Sequence, residues 1–250
     1  MHARRLAVAL TLTLAFVLST SVTAVAAASP VSGPTRTVWL TPVPPPTLPP
    51  TPLPWTGAEN VYRTGTFVTQ DTDYWCVGAS SQMMLNIIEG KRDSTSATQS
   101  ALMSYARSHE IEPSSKPGAD PRGWANTLTH AGAGPYRDYS FSSMDAALAF
   151  AARRIRLTGK PVGLTVGFGS HAWVMTGFVA TRDPATSSSF TVGAVYISGP
   201  LYPRQVAKLG YFDLKPDSRL SHAQMAEVFL PYRESEGLSS WLGKWVIVAP

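Results

Sequence analysis

The chain has one cysteine, Cys76, in the stretch "QDTDYWCVGASSQMMLNII" (residues 70–88). Thiol chemistry runs through the thiolate, and a free thiol, with a pKa of about 8.5, is mostly protonated at neutral pH. A nucleophilic cysteine therefore needs help from its surroundings. A helix N-terminus offers partial positive charge and open N–H groups. A histidine takes the proton. A hydrogen-bond donor must face the oxyanion of the attacked carbonyl. The sequence offers a candidate for each. Cys76 opens an apolar-periodic run that predicts a helix. His171 follows Gly167-Phe168-Gly169-Ser170 and begins the strand-like "HAWVMTGFVA". Gln70 lies six residues before Cys76, where its amide can reach over the helix start, with the Cys76 backbone N–H as second donor. Such a set performs acyl transfer, in which the thiolate attacks an acyl carbon and the imidazolium hands its proton to the leaving amine.

Each residue also has a plainer reading. Free cysteine is among the most buried residue types and packs as a small hydrophobe. A histidine at a strand end often bonds a backbone carbonyl, and Gln70 reads equally as an ordinary loop residue. Asp71 and Asp73 read as loop or capping residues, and near the thiol they would oppose its ionisation. Trp75 and Trp173 flank the two central candidates, either as core packing or as cleft lining. His2 falls in the leader, while His109, His130 and His222 sit in polar helix contexts that predict solvated rings. One cysteine and scattered histidines lack metal-ligand spacing, so no metal or cofactor is expected.

The elements that must position these residues follow from periodicity. Residues 76–89 carry Val77, Met83, Met84, Ile87 and Ile88 at helical spacing, with Gly90 as the stop. Further helices are predicted over 94–109 with Ser94 or Ser96 as cap, 122–130, 143–157 with Ser142 or Ser143 as cap, and 221–230 with Ser221 as cap. Strand-like runs occupy "VGLTVGF", "HAWVMTGFVA" and "FTVGAVYIS", and the chain closes on "KWVIVA", which reads as an internal strand. Helices dominate the first half and antiparallel strands the second. The fold class is therefore α+β, with an N-terminal helical half packed on a C-terminal antiparallel sheet.

The 250 residues are not all one folded body. Residues 1–28 run from Arg4 and Arg5 through an apolar stretch to small residues, the order of a secretory signal peptide. An uncleaved anchor is the alternative, but the apolar core is short for a span. Residues 29–56 form a Pro/Thr-rich linker. Ten of the chain's 21 prolines fall between residues 30 and 54. Proline lacks an N–H donor, so this segment reads as a semi-extended spacer. Residues 57–250 suffice for one domain with a sizeable core. The formal charge falls from +5 to +3 once Arg4 and Arg5 leave with the leader. Basic residues are scattered, apart from Arg153-Arg154-Arg156 on a predicted helix face. Nucleic-acid binding has no support in that pattern. The expectation is a secreted, extracellular monomer, free of the membrane once the signal is cleaved.

A Gln-x5-Cys pattern at a helix start, then a small-residue-His-Ala strand, resembles the papain-like cysteine peptidases. The resemblance is closer to the bacterial C39-like peptidase domain. It rests on Gln70, on "WC" followed by Ala79, and on "GKPVGLTV" followed by "SHAWVMTGF". It continues in "VYISGPL" and in a C-terminal helix followed by "GKWVIV". It covers roughly residues 65–249 and implies a papain-like fold and a peptide or protein substrate. It also implies Cys76 as nucleophile, His171 as base and Gln70 as oxyanion donor. The chain departs from the family pattern at Cys76-Val77-Gly78, where Cys-Gly-Pro is common. It departs again where the family has Asp or Asn before the proline of the strand after the histidine, because Gly199 stands there. Ser198, one residue earlier, and Asp183, if its loop folds back, are the candidates for orienting His171. Without an orienting carboxylate, the same fold would serve as a weak or inactive peptidase-like binding module.

Overall fold

In the computed structural model, which describes residues 54–112, 117–204, 213–233 and 239–250, the helix that begins at Cys76 lies at the centre. The expected signal peptide and all but residues 54–56 of the expected linker lie outside the described residues. Helix α1 (Cys76–Glu89) is buried on its apolar stripe of Val77, Met83, Met84 and Ile87, and also at Ser80, Ser81, Gln82 and Asn86. Ser80 and Asn86 among them are tied to backbone, while Ser81 Oγ has no partner among the described residues. Ser80 Oγ donates to Ala172 O at 3.1 Å, and Asn86 Nδ2 donates to Asp93 O at 2.8 Å. Gly90 ends the helix in the left-handed conformation that glycine favours (φ 69°).

Two further helices, α2 (Ser96–Ser108) and α3 (Pro121–His130), pack with α1. The cap of α2 is Thr95, between the two expected serines, whose side chain accepts from Thr98 N. Helix α3 starts one residue early because Pro121 fits the first turn, where its missing N–H costs nothing, behind the Asp120 cap. Helix α4 (Met144–Thr158) is capped by Ser143 and α5 (His222–Val228) by Ser221 in a capping box with Gln224.

The strands are β1 (Ala58–Asn60), β2 (Arg137–Phe141), β3 (Val162–Val166), β4 (His171–Ala180), β5 (Val192–Ser198), β6 (Ser218–Ser221) and β7 (Trp245–Ala249). They form one antiparallel sheet in the order β2-β7-β3-β4-β5-β6. β1 pairs with β4 over Gly177–Val179, beyond the stretch that β3 occupies. The closing strand β7 is internal, as its apolar run predicts.

The arrangement is α+β, with one difference from expectation. The sheet carries helices on both faces, because α4 is amphipathic and buries Ala147, Leu148, Ala151, Ala152 and Ile155 on the face opposite α1–α3. Along β4, Ala172 and Val174 join the α1–α3 core, while Trp173, Met175 and Phe178 join the α4 core. Strands covered on both faces lose the apolar–polar alternation and read as continuous apolar runs. Close approach is enforced at Gly163 in β3. A Cβ there would lie 2.4 Å from the buried Trp124 ring, so α3 rests directly on strand backbone.

Candidate active site

Cys76 is the first residue of α1 and is 9 % exposed. The residue before it, Trp75, provides no side-chain cap, and no acidic residue lies in the first turn. The first helical hydrogen bond runs from Ala79 N to Trp75 O at 2.9 Å. The N–H groups of Cys76, Val77 and Gly78 therefore precede the helical ladder, and the positive end of the helix dipole lies at the thiol. The loop leading into the helix is pinned from several sides. Gln99, buried on α2, accepts from Asp71 N at 2.7 Å and donates to Thr69 O at 3.2 Å. Gln70 N donates to Pro200 O at 2.8 Å, and Arg204 reaches back to Gln70 O and to Asp73 Oδ1, each at 3.0 Å.

His171 opens β4, as the sequence predicts, and is 3 % exposed. The tight turn before it places three successive residues at positive φ: Gly167 at 58°, Phe168 at 62° and Gly169 at 94°. Phe168 is the one without glycine's freedom there. It is held by Arg233, whose N–H donates to Phe168 O at 2.7 Å and whose guanidinium sits 4.1 Å over the ring. Gly169 abuts Tyr232 so closely that a Cβ would lie 2.3 Å from the ring. This buttressed turn aims the imidazole at α1, where it hydrogen-bonds Cys76.

The other side of the ring meets a carboxylate that the sequence reading did not select. His171 Nε2 lies 3.0 Å from Asp213 Oδ2 and 3.2 Å from Oδ1. That leaves Nδ1 for the thiol. The Asp213 carboxylate is fully buried and takes two further donors, Trp173 Nε1 and Leu201 N, each at 2.6 Å. Burial pushes the His171 imidazole down. The hydrogen bonds and negative charges of Asp213 and Cys76 outweigh that and hold it up at about 9.

Neither expected partner fills this position. Ser198 faces Val174 across the sheet, and its hydroxyl accepts from Asp217 N at 3.0 Å. Asp183 lies in the loop beyond the far end of β4, the strand that His171 opens, and forms a two-pronged pair with Arg156 at 3.0 and 2.9 Å. The reason for the substitution lies at Gly199. A Cβ built there would be 2.3 Å from Asp213 Cγ. The carboxylate of Asp213 thus occupies the space that a side chain at 199 would take.

Gln70 is 1 % exposed, and its Nε2 donates to Thr72 O at 2.7 Å, while Oε1 has no hydrogen-bond partner among the described residues. One amide hydrogen is thereby committed to the loop and the second is left for another acceptor. Trp75 is half-buried against the α1–α3 core. Trp173 is buried in the α4 core, so packing rather than cleft lining is its place, and its indole N–H also donates to Asp213. The missed residue had one signal in the sequence, the empty side-chain position Gly199 ahead of Pro200. Nothing local marks "DLKPD" (residues 213–217) as the segment that fills it.

Comparison of the chain with family models, with curated proteins and with solved structures found no match.

Proposed function

We propose that the protein is a cysteine peptidase or amidase built on a papain-like, C39-like plan, acting outside the cell on peptide or protein substrates. The observation that carries this reading is the buried relay Cys76–His171–Asp213 at an uncapped helix start. A thiol, an imidazole and a carboxylate in that order match the logic of nucleophilic acyl transfer, with nucleophile, base and orienter each touching the next.

In the proposed cycle, the Cys76 thiolate attacks the acyl carbon while His171 carries the proton on Nδ1. Charge develops on the carbonyl oxygen and is met by the Cys76 N–H and the free hydrogen of the Gln70 amide. His171 then protonates the leaving amine as the C–N bond breaks, leaving a thioester on Cys76. Water, deprotonated by His171, adds to the thioester and releases the acid. Asp213 fixes the ring orientation through Nε2 and stabilises the imidazolium at each stage. The reading of the chain as a non-catalytic binding module drew its support from Gly199, and Asp213 supplies the carboxylate missing there.

The test is a peptide-library digest read by mass spectrometry. Wild-type protein is expected to generate new peptide termini, and Cys76→Ala is expected to generate none. Cleavage that survives Cys76→Ala, or no cleavage by wild type of any library member, overturns the proposal.

A further inference from the structure

We propose that Asp217 is a positioning residue: it pins one end of the segment 213–217 so that the other end carries Asp213 to His171. This role rests on the reading of Cys76–His171–Asp213 as the working site.

Asp217 is one of two non-glycine residues at positive φ (61°) among the described residues. Such a conformation is sparsely populated for a residue with a Cβ and persists where surrounding contacts impose it. Three strands impose it here. Asp217 Oδ1 accepts from Asn60 Nδ2 and from Thr176 Oγ1, each at 2.9 Å, and Oδ2 accepts from Asn60 Nδ2 at 3.0 Å. Its own N–H donates to Ser198 Oγ at 3.0 Å. Those partners belong to β1, β4 and β5. Asn60 is fixed in turn, since its Oδ1 accepts from Tyr62 N at 2.9 Å and its strand lies on Gly177, where a Cβ would be 2.8 Å from Asn60 Cα. A turn closes the segment, with Ser218 N–H and Oγ–H both donating to Lys215 O, at 3.1 and 2.6 Å.

Between the two carboxylates, Leu214 and Lys215 are exposed and bring no burial to hold the chain. Among the described residues, the placement of Asp213 then rests on its own three donors and on the downstream pin. A residue at 199 would have been positioned by β5 itself. A carboxylate delivered from a separate segment needs an anchor, and Asp217 supplies it on the same sheet that carries His171. Asp213 and Cys76 face His171. The Tyr62 phenol is held above its usual range by burial and then by the Asp217 charge.

The experiment follows the His171 ring directly by NMR of histidine-labelled protein, in wild type, Asp217→Ala and the near-isosteric Asp217→Asn, with Tm measured alongside. The ring's titration midpoint, held near 9 in wild type, is expected to fall by about one pH unit in Asp217→Ala as the Asp213 contact loosens. Asp217→Asn keeps an αL-tolerant residue and one acceptor oxygen, so a smaller fall is expected. Turnover in Asp217→Ala should drop roughly 10- to 100-fold with KM within about twofold. A lower Tm with an unmoved His171 midpoint in both variants makes Asp217 merely structural and overturns the proposal. The ring titration does not depend on substrate. If the peptidase reading fails, turnover is absent while the midpoint still reports on Asp217.

Discussion

Asp213→Ala is expected to lower turnover by roughly two to four orders of magnitude, the range seen when the orienting carboxylate of a nucleophile–base–acid relay is lost. The wild-type carboxylate accepts three buried N–H groups, from His171, Trp173 and Leu201. Removing it leaves those donors unpaired, at about 1–3 kcal/mol for each group, and frees the ring to rotate away from Cys76. A loss of stability should therefore accompany the loss of rate. Gly199 separates the two effects. The single variant Gly199→Asp places a Cβ 2.3 Å from Asp213 Cγ and sets two carboxylates in one buried space, so it should also lose activity. The double variant Gly199→Asp/Asp213→Ala removes the clash and supplies a carboxylate from β5. It should recover at least about tenfold in kcat over Asp213→Ala. The check is steady-state kinetics on the four proteins. Turnover in Asp213→Ala equal to wild type would remove Asp213 from the mechanism.

The second large effect is on stability against pH. His171 in the folded protein is held at about 9, above the ordinary histidine value of 6.5, against the opposing pull of burial. A raised folded pKa means that the folded state binds the proton more tightly than the unfolded chain does. Its contribution is complete below pH 6.5 and is lost as pH rises through about 9. At ~1.4 kcal/mol per pH unit, the contribution reaches up to about 3 kcal/mol. Urea midpoints measured from mildly acidic to alkaline pH should fall across that window in wild type. In His171→Ala the fall should be absent. The same deprotonation removes the imidazolium that protonates the leaving amine, so turnover should decline along the alkaline limb. A flat urea midpoint from neutral to alkaline pH in wild type would contradict the ion-paired state.

Much of the site was legible because its central residues sit at element boundaries. Cys76 begins α1 and His171 begins β4, and both positions follow from apolar periodicity and from the glycines around them. Helices α1 and α4 and strands β3, β4, β5 and β7 follow from the same signal. Strands β1, β2 and β6 did not, because "AEN", "RDYSF" and "SRLS" are short, polar and only partly buried. The second helical layer escaped because β3 and β4 are buried on both faces and carry no alternation to say how many layers cover them. Asp213 was missed for a different reason. Its role depends on a contact 42 residues along the chain from His171, and only the folded sheet brings the two together. Ser198 and Asp183 are the side chains the sequence offers near the strand that follows the histidine, but their hydrogen bonds are made with Asp217 N and Arg156. The chain instead left position 199 empty and filled it from a loop, with Ser198 helping to anchor Asp217 in that loop.

The central claim is that Cys76 reacts as a thiolate held by His171, and the rate of Cys76 alkylation by iodoacetamide at mildly acidic pH tests it most directly. Wild type is expected to label rapidly at a pH where a free thiol, with its pKa of about 8.5, is almost wholly protonated, and His171→Ala is expected to suppress that labelling by tenfold or more. Slow labelling of both proteins at one and the same rate, rising together only as the pH approaches that of an ordinary thiol, would contradict the account.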